Sequence, residues 1–96
     1  MNEEYIYRTA KRQDGAHIDE FRNTIEKMID EGAREIILDM QDTIHLSSVS
    51  LRLILKMQKT LAQKDGRLIL RNVSENVMEV FDLVGFTGLL YFEDRE

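Results

Sequence analysis

Three serines fall within four residues, Ser47, Ser48 and Ser50. A hydroxyl in such a group can attack as an activated nucleophile, cap a helix by accepting from an exposed backbone N–H, or receive a phosphoryl group. For the first role, spacing leaves a Ser-His-Asp arrangement open, but the nucleophile-elbow pattern is missing. The two histidines, His17 and His45, lie far apart, and neither has a second histidine at the helical spacing a zinc site uses. Without cysteine there is neither a thiolate metal site nor a disulfide framework. The five glycines are isolated helix or turn stops, so no glycine-rich loop cradles a phosphate. The expectation is a chain with no catalytic residue, no metal and no cofactor: not an enzyme. Capping accounts for one serine, and three are more than capping requires.

The elements that must position these serines follow from periodicity. Tyr5, Ile6, Tyr7 and Thr9 mark a first strand from about Glu4 to Ala10, and Gln13-Asp14-Gly15 reads as a loop. Ile18, Phe21, Ile25, Met28 and Ile29 form the apolar stripe of a first helix that Gly32 stops. The block Glu35–Met40 suits a central strand covered on both faces. After the turn Gln41-Asp42-Thr43, Ile44-His45-Leu46 leads into the serines and a second helix from about Ser48 to Lys64. Its apolar face holds Leu51, Ile54, Leu55, Leu61 and Ala62, and Asp65-Gly66 ends it. Arg67–Arg71 is the next strand. Ser74 caps a third helix with Val77, Val80, Phe81 and Val84 on one face, and Val73 and Met78 are spaced as a hydrophobic staple. Gly85 ends that helix, and Leu89–Phe92 makes a final strand. Strands alternating with helices give an α/β layer fold: about four strands in a mixed or parallel sheet with three helices. Its expected core includes Ile37, Leu38, Leu51, Leu55, Leu68, Leu70, Val77 and Phe81.

With 96 residues, no proline and no linker or repeat, residues 1–96 read as a single domain. Apolar residues at 43% suffice for one core. A net charge of −5 argues against nucleic acid as a partner, because such binding rests on neutralising phosphates. The start Met1-Asn2-Glu3-Glu4 lacks the basic and apolar regions of a signal peptide, and the apolar runs are too short for membrane insertion. A cytoplasmic location is the default.

Ile36-Ile37-Leu38-Asp39, a turn, and then Ser47-Ser48-Val49-Ser50-Leu51-Arg52-Leu53-Ile54-Leu55 together resemble the signature of STAS domains of the anti-sigma factor antagonist type. The frame continues through Gly66-Arg67-Leu68-Ile69-Leu70, Val73-Ser74 and Val80-Phe81-Asp82-Leu83-Val84-Gly85-Phe86. The resemblance implies partner switching. Such a domain binds a serine kinase that doubles as an anti-sigma factor, is released when the kinase phosphorylates one serine at the start of the second helix, and is restored by a serine phosphatase. In the family motif Asp-Ser-(Ser/Thr/Ala)-Gly-Leu, Ser48 takes the phosphorylated place. Ser47 stands for the aspartate and Ser50 for the glycine, and the chain departs from typical members in lacking their C-terminal helix.

Elementary electrostatics supports a switch at Ser48. A phosphate at a helix N-terminus gains roughly 0.3–1 kcal/mol from the dipole and the unpaired N–H groups. Burying the same charge unpaired in an interface costs on the order of several kcal/mol. Ser47, Val49, Ser50, Leu53 and Met57 are the expected partner-binding residues around it. Leu53 and Met57 lie at the edge of the apolar stripe, so a wide core is the competing interpretation for them. Arg52, Lys56 and Lys59 read as a solvated face. Short termini that leave a strand edge or an apolar face open lead to an expectation of weak self-association or of occlusion by a partner. The alternative function is a constitutive STAS scaffold of a sensor or transporter assembly, without a phosphate cycle.

Overall fold

Parallel strands need long crossovers, and this chain supplies a helix between each successive pair. The computed structural model describes residues 5–93. They form β1 (Tyr5–Arg8), β2 (Arg12–Gln13), α1 (Gly15–Asp30), β3 (Glu35–Asp39), β4 (His45–Leu46), α2 (Ser48–Ala62), β5 (Arg67–Arg71), α3 (Glu75–Leu83), a 3-10 turn (Thr87–Leu89) and β6 (Tyr91–Phe92). The main sheet is ordered β1-β3-β5-β6, with every neighbouring pair parallel. Right-handed crossovers that always step the same way set the helices on one face of this sheet. Burial agrees. Ile36, Leu38, Leu68 and Leu70, which share a face, are fully buried, whereas Ile6 and Tyr91 on the other are largely exposed.

Each helix contributes a stripe to one core. Ile18, Phe21 and Ile25 come from α1, Leu51, Ile54 and Leu61 from α2, and Val77, Met78 and Phe81 from α3. Phe21 stacks on Tyr7 with centroids 5.3 Å apart, and Phe81 meets Phe92 edge-on at 5.5 Å. The α2 stripe is rotated from the expected one. Ser50, Leu53, Ile54, Met57, Gln58 and Leu61 are buried, Leu55 is half-buried and Ala62 is exposed. The helix packs against α1 as well as the sheet, which widens its buried arc toward Leu53 and Met57. Val84, expected on the α3 stripe, is also exposed, because α3 ends at Leu83.

Helix ends follow local chemistry. Gly32 adopts φ +105° after α1, with its N–H donating to Ile29 O. After α2 the left-handed residue is Asp65, at φ +61°. Gly66 is required for space instead, since a Cβ there would lie 2.0 Å from Arg34 O.

Two segments depart from expectation. Residues 87–89, partly assigned to the final strand, form the 3-10 turn. Gln13, expected in a loop, joins Arg12 in pairing with Leu46 and His45 as a small parallel second sheet. Of the expected first strand, Glu4 lies outside the described residues. Among the described residues no helix is long and apolar enough to cross a membrane.

Candidate functional site

Strand β3 delivers the chain to the carboxyl end of the sheet, where β4 turns it into α2. Ser47 is the N-cap of α2, extended at φ −75° and ψ 162°, and its Oγ accepts from Ser50 N at 3.1 Å. Ser50 is fully buried, and its hydroxyl donates to Gln13 O at 2.6 Å. The same carbonyl accepts from Ser47 N at 3.2 Å, while the Ser47 hydroxyl donates to Ser50 Oγ at 3.3 Å. The start of α2 is thus tied to β2 at several points.

Gln13 is itself held. Its side chain is fully buried, accepts from Ala10 N at 2.8 Å and donates to His17 O at 3.2 Å. The Thr43 hydroxyl donates to Ala10 O at 2.7 Å and meets the Thr9 hydroxyl. Thr9 N donates to Asp39 O at 3.0 Å. At the end of this chain of bonds the Asp39 carboxylate accepts from Arg8 Nη2, Gln41 N and Asn72 Nδ2, each at 3.1 Å. Burial pushes the Asp39 carboxyl up. The hydrogen bonds from Asn72, Gln41 and Arg8, together with the Arg8 charge, outweigh burial and hold it below its ordinary value. A satisfied buried network of this kind fixes one geometry for the loop that presents α2.

Ser48 is the first residue of α2 and is exposed. Among the described residues its side chain makes no hydrogen bond, whereas those of Ser47 and Ser50 are engaged. No acidic residue occupies the first turn of α2, so nothing within that turn opposes an anion at its N-terminus. Val49 beside it is 44% exposed, and Ile44, on the approach to β4, is 59% exposed.

Burial removes three of the expected contact residues from the surface. Ser50 is an internal anchor. Leu53 and Met57 are 8% and 4% exposed and belong to the core, the competing interpretation of their place on the stripe. The fold brings both histidines beside β2, where His45 pairs with Arg12. His17 Nδ1 is 3.0 Å from Arg12 O, and His45 Nε2 is 3.7 Å from Asp14 Oδ2. Periodicity missed Gln13 and Ile44. Gln13 gives no sign in a loop-like run of polar residues, because it is buried where β2 pairs with β4, a contact distant in sequence. An isoleucine between a polar turn and a histidine was the available signal for Ile44.

A model of the STAS domain family matches residues 2–96. A Bordetella bronchiseptica protein named as an anti-sigma factor antagonist, BtrV, is 31% identical over 74 residues, 77% of this chain and 64% of the relative. The chain therefore spans just under two thirds of that relative's length. The anti-sigma-B factor antagonist of Staphylococcus aureus is 23% identical over 77 residues, 80% of this chain and 71% of the relative. Among solved structures, the NMR structure of the protein TM1081 matches with a TM-score of 0.82 and 21% identity, covering 93% of this chain and 72% of the other. The anti-sigma factor antagonist SpoIIAA in its unphosphorylated form matches with a TM-score of 0.74 and 24% identity, covering 95% and 79%. The two structures share the fold.

Proposed function

The chain belongs to the STAS domain family, and on that premise we propose that it is a phosphorylation-controlled antagonist in a partner-switching pathway. Relatives named as anti-sigma factor antagonists point to the partner-switching role. In its unphosphorylated form the protein binds a serine kinase that is also an anti-sigma factor, through a face centred on Ser48 and flanked by Val49 and Ile44. The kinase transfers a phosphoryl group to Ser48, the complex separates, and a serine phosphatase restores binding. The chain itself catalyses nothing and works in the cytoplasm.

The observation that carries this proposal is the difference among the three serines. The Ser47 hydroxyl caps α2, the Ser50 hydroxyl is buried against Gln13 O, and the exposed Ser48 hydroxyl has no partner among the described residues. An incoming kinase meets one available acceptor. The phosphate it leaves sits at a helix N-terminus that stabilises an anion by roughly 0.3–1 kcal/mol. Folding survives while a desolvated interface does not.

Phosphosite mapping of the protein isolated from its own host tests this directly. A single phosphate on Ser48 is expected. Phosphate on Ser47 or Ser50 would contradict the assignment, and no phosphate under any growth condition would favour a constitutive scaffold.

A further inference from the structure

The main sheet has two edge strands, β1 and β6. β6 is only two residues long, and shortness is itself a guard against edge pairing. β1 has four residues, and among the described residues no strand pairs with its outer side. Its peptide groups alternate in direction. Thr9 N donates to Asp39 O, in the parallel register that sets Arg8 against Asp39. Tyr5, Tyr7 and Thr9 therefore turn their peptide groups toward β3, and Ile6 and Arg8 turn theirs outward. The usual guards are missing. The strand reads Tyr-Ile-Tyr-Arg, with no proline or lysine, and the Arg8 charge is held by Asp39 at 3.1 Å. Ile6 lies on the face without helices and is 43% exposed. Ile37, beside it in register on the same face, is 9% exposed. A strand on each side is what Ile37 has and Ile6 lacks.

We infer that β1 is a homodimer interface, at which two copies join edge to edge and antiparallel about a two-fold axis at Tyr7. The two four-stranded sheets then become one. Outward N–H and C=O groups on an extended backbone select a strand as the occupant. Self-complementarity selects a second copy of this one. With the axis at Tyr7, Ile6 of each copy lies opposite Arg8 of the other. Each such pair exchanges both of its backbone hydrogen bonds, so every outward group of both strands is used. The side chains agree with that register. On the helix face the half-buried Tyr7 rings of the two copies come together as a non-hydrogen-bonded pair, the closer kind. On the open face Ile6 packs against the aliphatic stem of Arg8 from the other copy, whose charged head stays on its own Asp39. An isologous contact of this kind closes at two copies and leaves only the short β6 edges outside. The contact is four residues a side, which makes the dimer a weak one. It uses none of Ser48, Val49 and Ile44, so this inference is independent of the phosphorylation proposal.

The test combines sedimentation equilibrium with amide hydrogen exchange read by NMR, on the full chain from about 10 µM to about 1 mM. A monomer–dimer equilibrium is expected within that range. The amides of Ile6 and Arg8 are expected to exchange at least threefold more slowly at the high end, while that of Tyr7, bonded to β3, is protected at both ends. Ile6→Pro removes one outward N–H and leaves the bonds to β3 in place, a position where an edge strand tolerates proline. This variant is expected to fold and to stay monomeric at the highest concentration. Ile6→Lys keeps the backbone intact and adds an edge charge, and its dimer is expected to be at least tenfold weaker with an unchanged unfolding midpoint. If Ile6→Pro fails to fold, Ile6→Lys decides. A monomer throughout overturns the inference, as does a dimer that Ile6→Lys leaves at full strength. Equal protection of the Ile6 and Arg8 amides at every concentration overturns it too, since the edge would then be covered within one copy.

Discussion

Ser47, Ser48 and Ser50 are chemically identical, yet α2 gives each a different task, and alanine substitutions should separate them. Ser47→Ala removes the cap of Ser50 N and is expected to cost roughly 0.5–2 kcal/mol. Ser50→Ala removes a buried bond to a carbonyl that keeps Ser47 N as a second donor, so about 0.5–1.5 kcal/mol is expected. Because the two hydroxyls touch, the double variant should depart from additivity. Ser48→Ala should stay within about 0.5 kcal/mol, since the exposed hydroxyl caps nothing. Urea unfolding of the four variants checks all of this, and a large cost at Ser48 would show the cap assigned to the wrong serine. Asp39 adds a pH signature. Its carboxyl is held below its ordinary value in the fold, so its contribution to stability is complete above that ordinary value and disappears as the pH falls through the lowered one. Urea midpoints should fall on acidification, and Asp39→Asn should remove that component of the slope. An unchanged slope in the variant would assign the acid sensitivity elsewhere.

At the scale of elements, what the sequence made legible was what local periodicity controls. The stripe Ile18, Phe21, Ile25 and the block Ile36–Leu38 lie where period and apolarity put them, and so does the start of α2. What was not legible depends on contacts distant in sequence. Leu53 and Met57 became core because α1 packs beside α2, and Gln13 lies buried where β2 pairs with β4. Leu55 and Ile54 make a direct comparison. Ile54 is fully buried and Leu55 only partly, so Ile54→Ala should cost roughly 2–5 kcal/mol and Leu55→Ala clearly less. Equal losses in thermal unfolding would return Leu55 to the core. Gly66→Ala tests the turn between α2 and β5. The added Cβ meets the Arg34 carbonyl, whose oxygen also accepts from Arg67 N, and relieving the clash should cost about 1–3 kcal/mol or more. A neutral outcome would mean that this turn moves freely.

Across the whole molecule, the proposed switch requires that stability and recognition be kept apart. The buried network from Asp39 to Ser50 holds the loop from inside, while Ser48, Val49 and Ile44 are exposed. A charge at Ser48 is therefore expected to leave the core undisturbed, and on the proposed reading a partner that desolvates Ser48 rejects it. The most direct test measures Ser48→Asp for two quantities at once, its affinity for the kinase-type partner and its thermal stability. Aspartate at the start of a helix suits the dipole, so stability is expected to stay within about 1 kcal/mol of wild type. Affinity is expected to fall at least tenfold, while Ser48→Ala binds as wild type does. Undiminished binding by Ser48→Asp would contradict a switch at this serine, and so would loss of binding that tracks loss of fold.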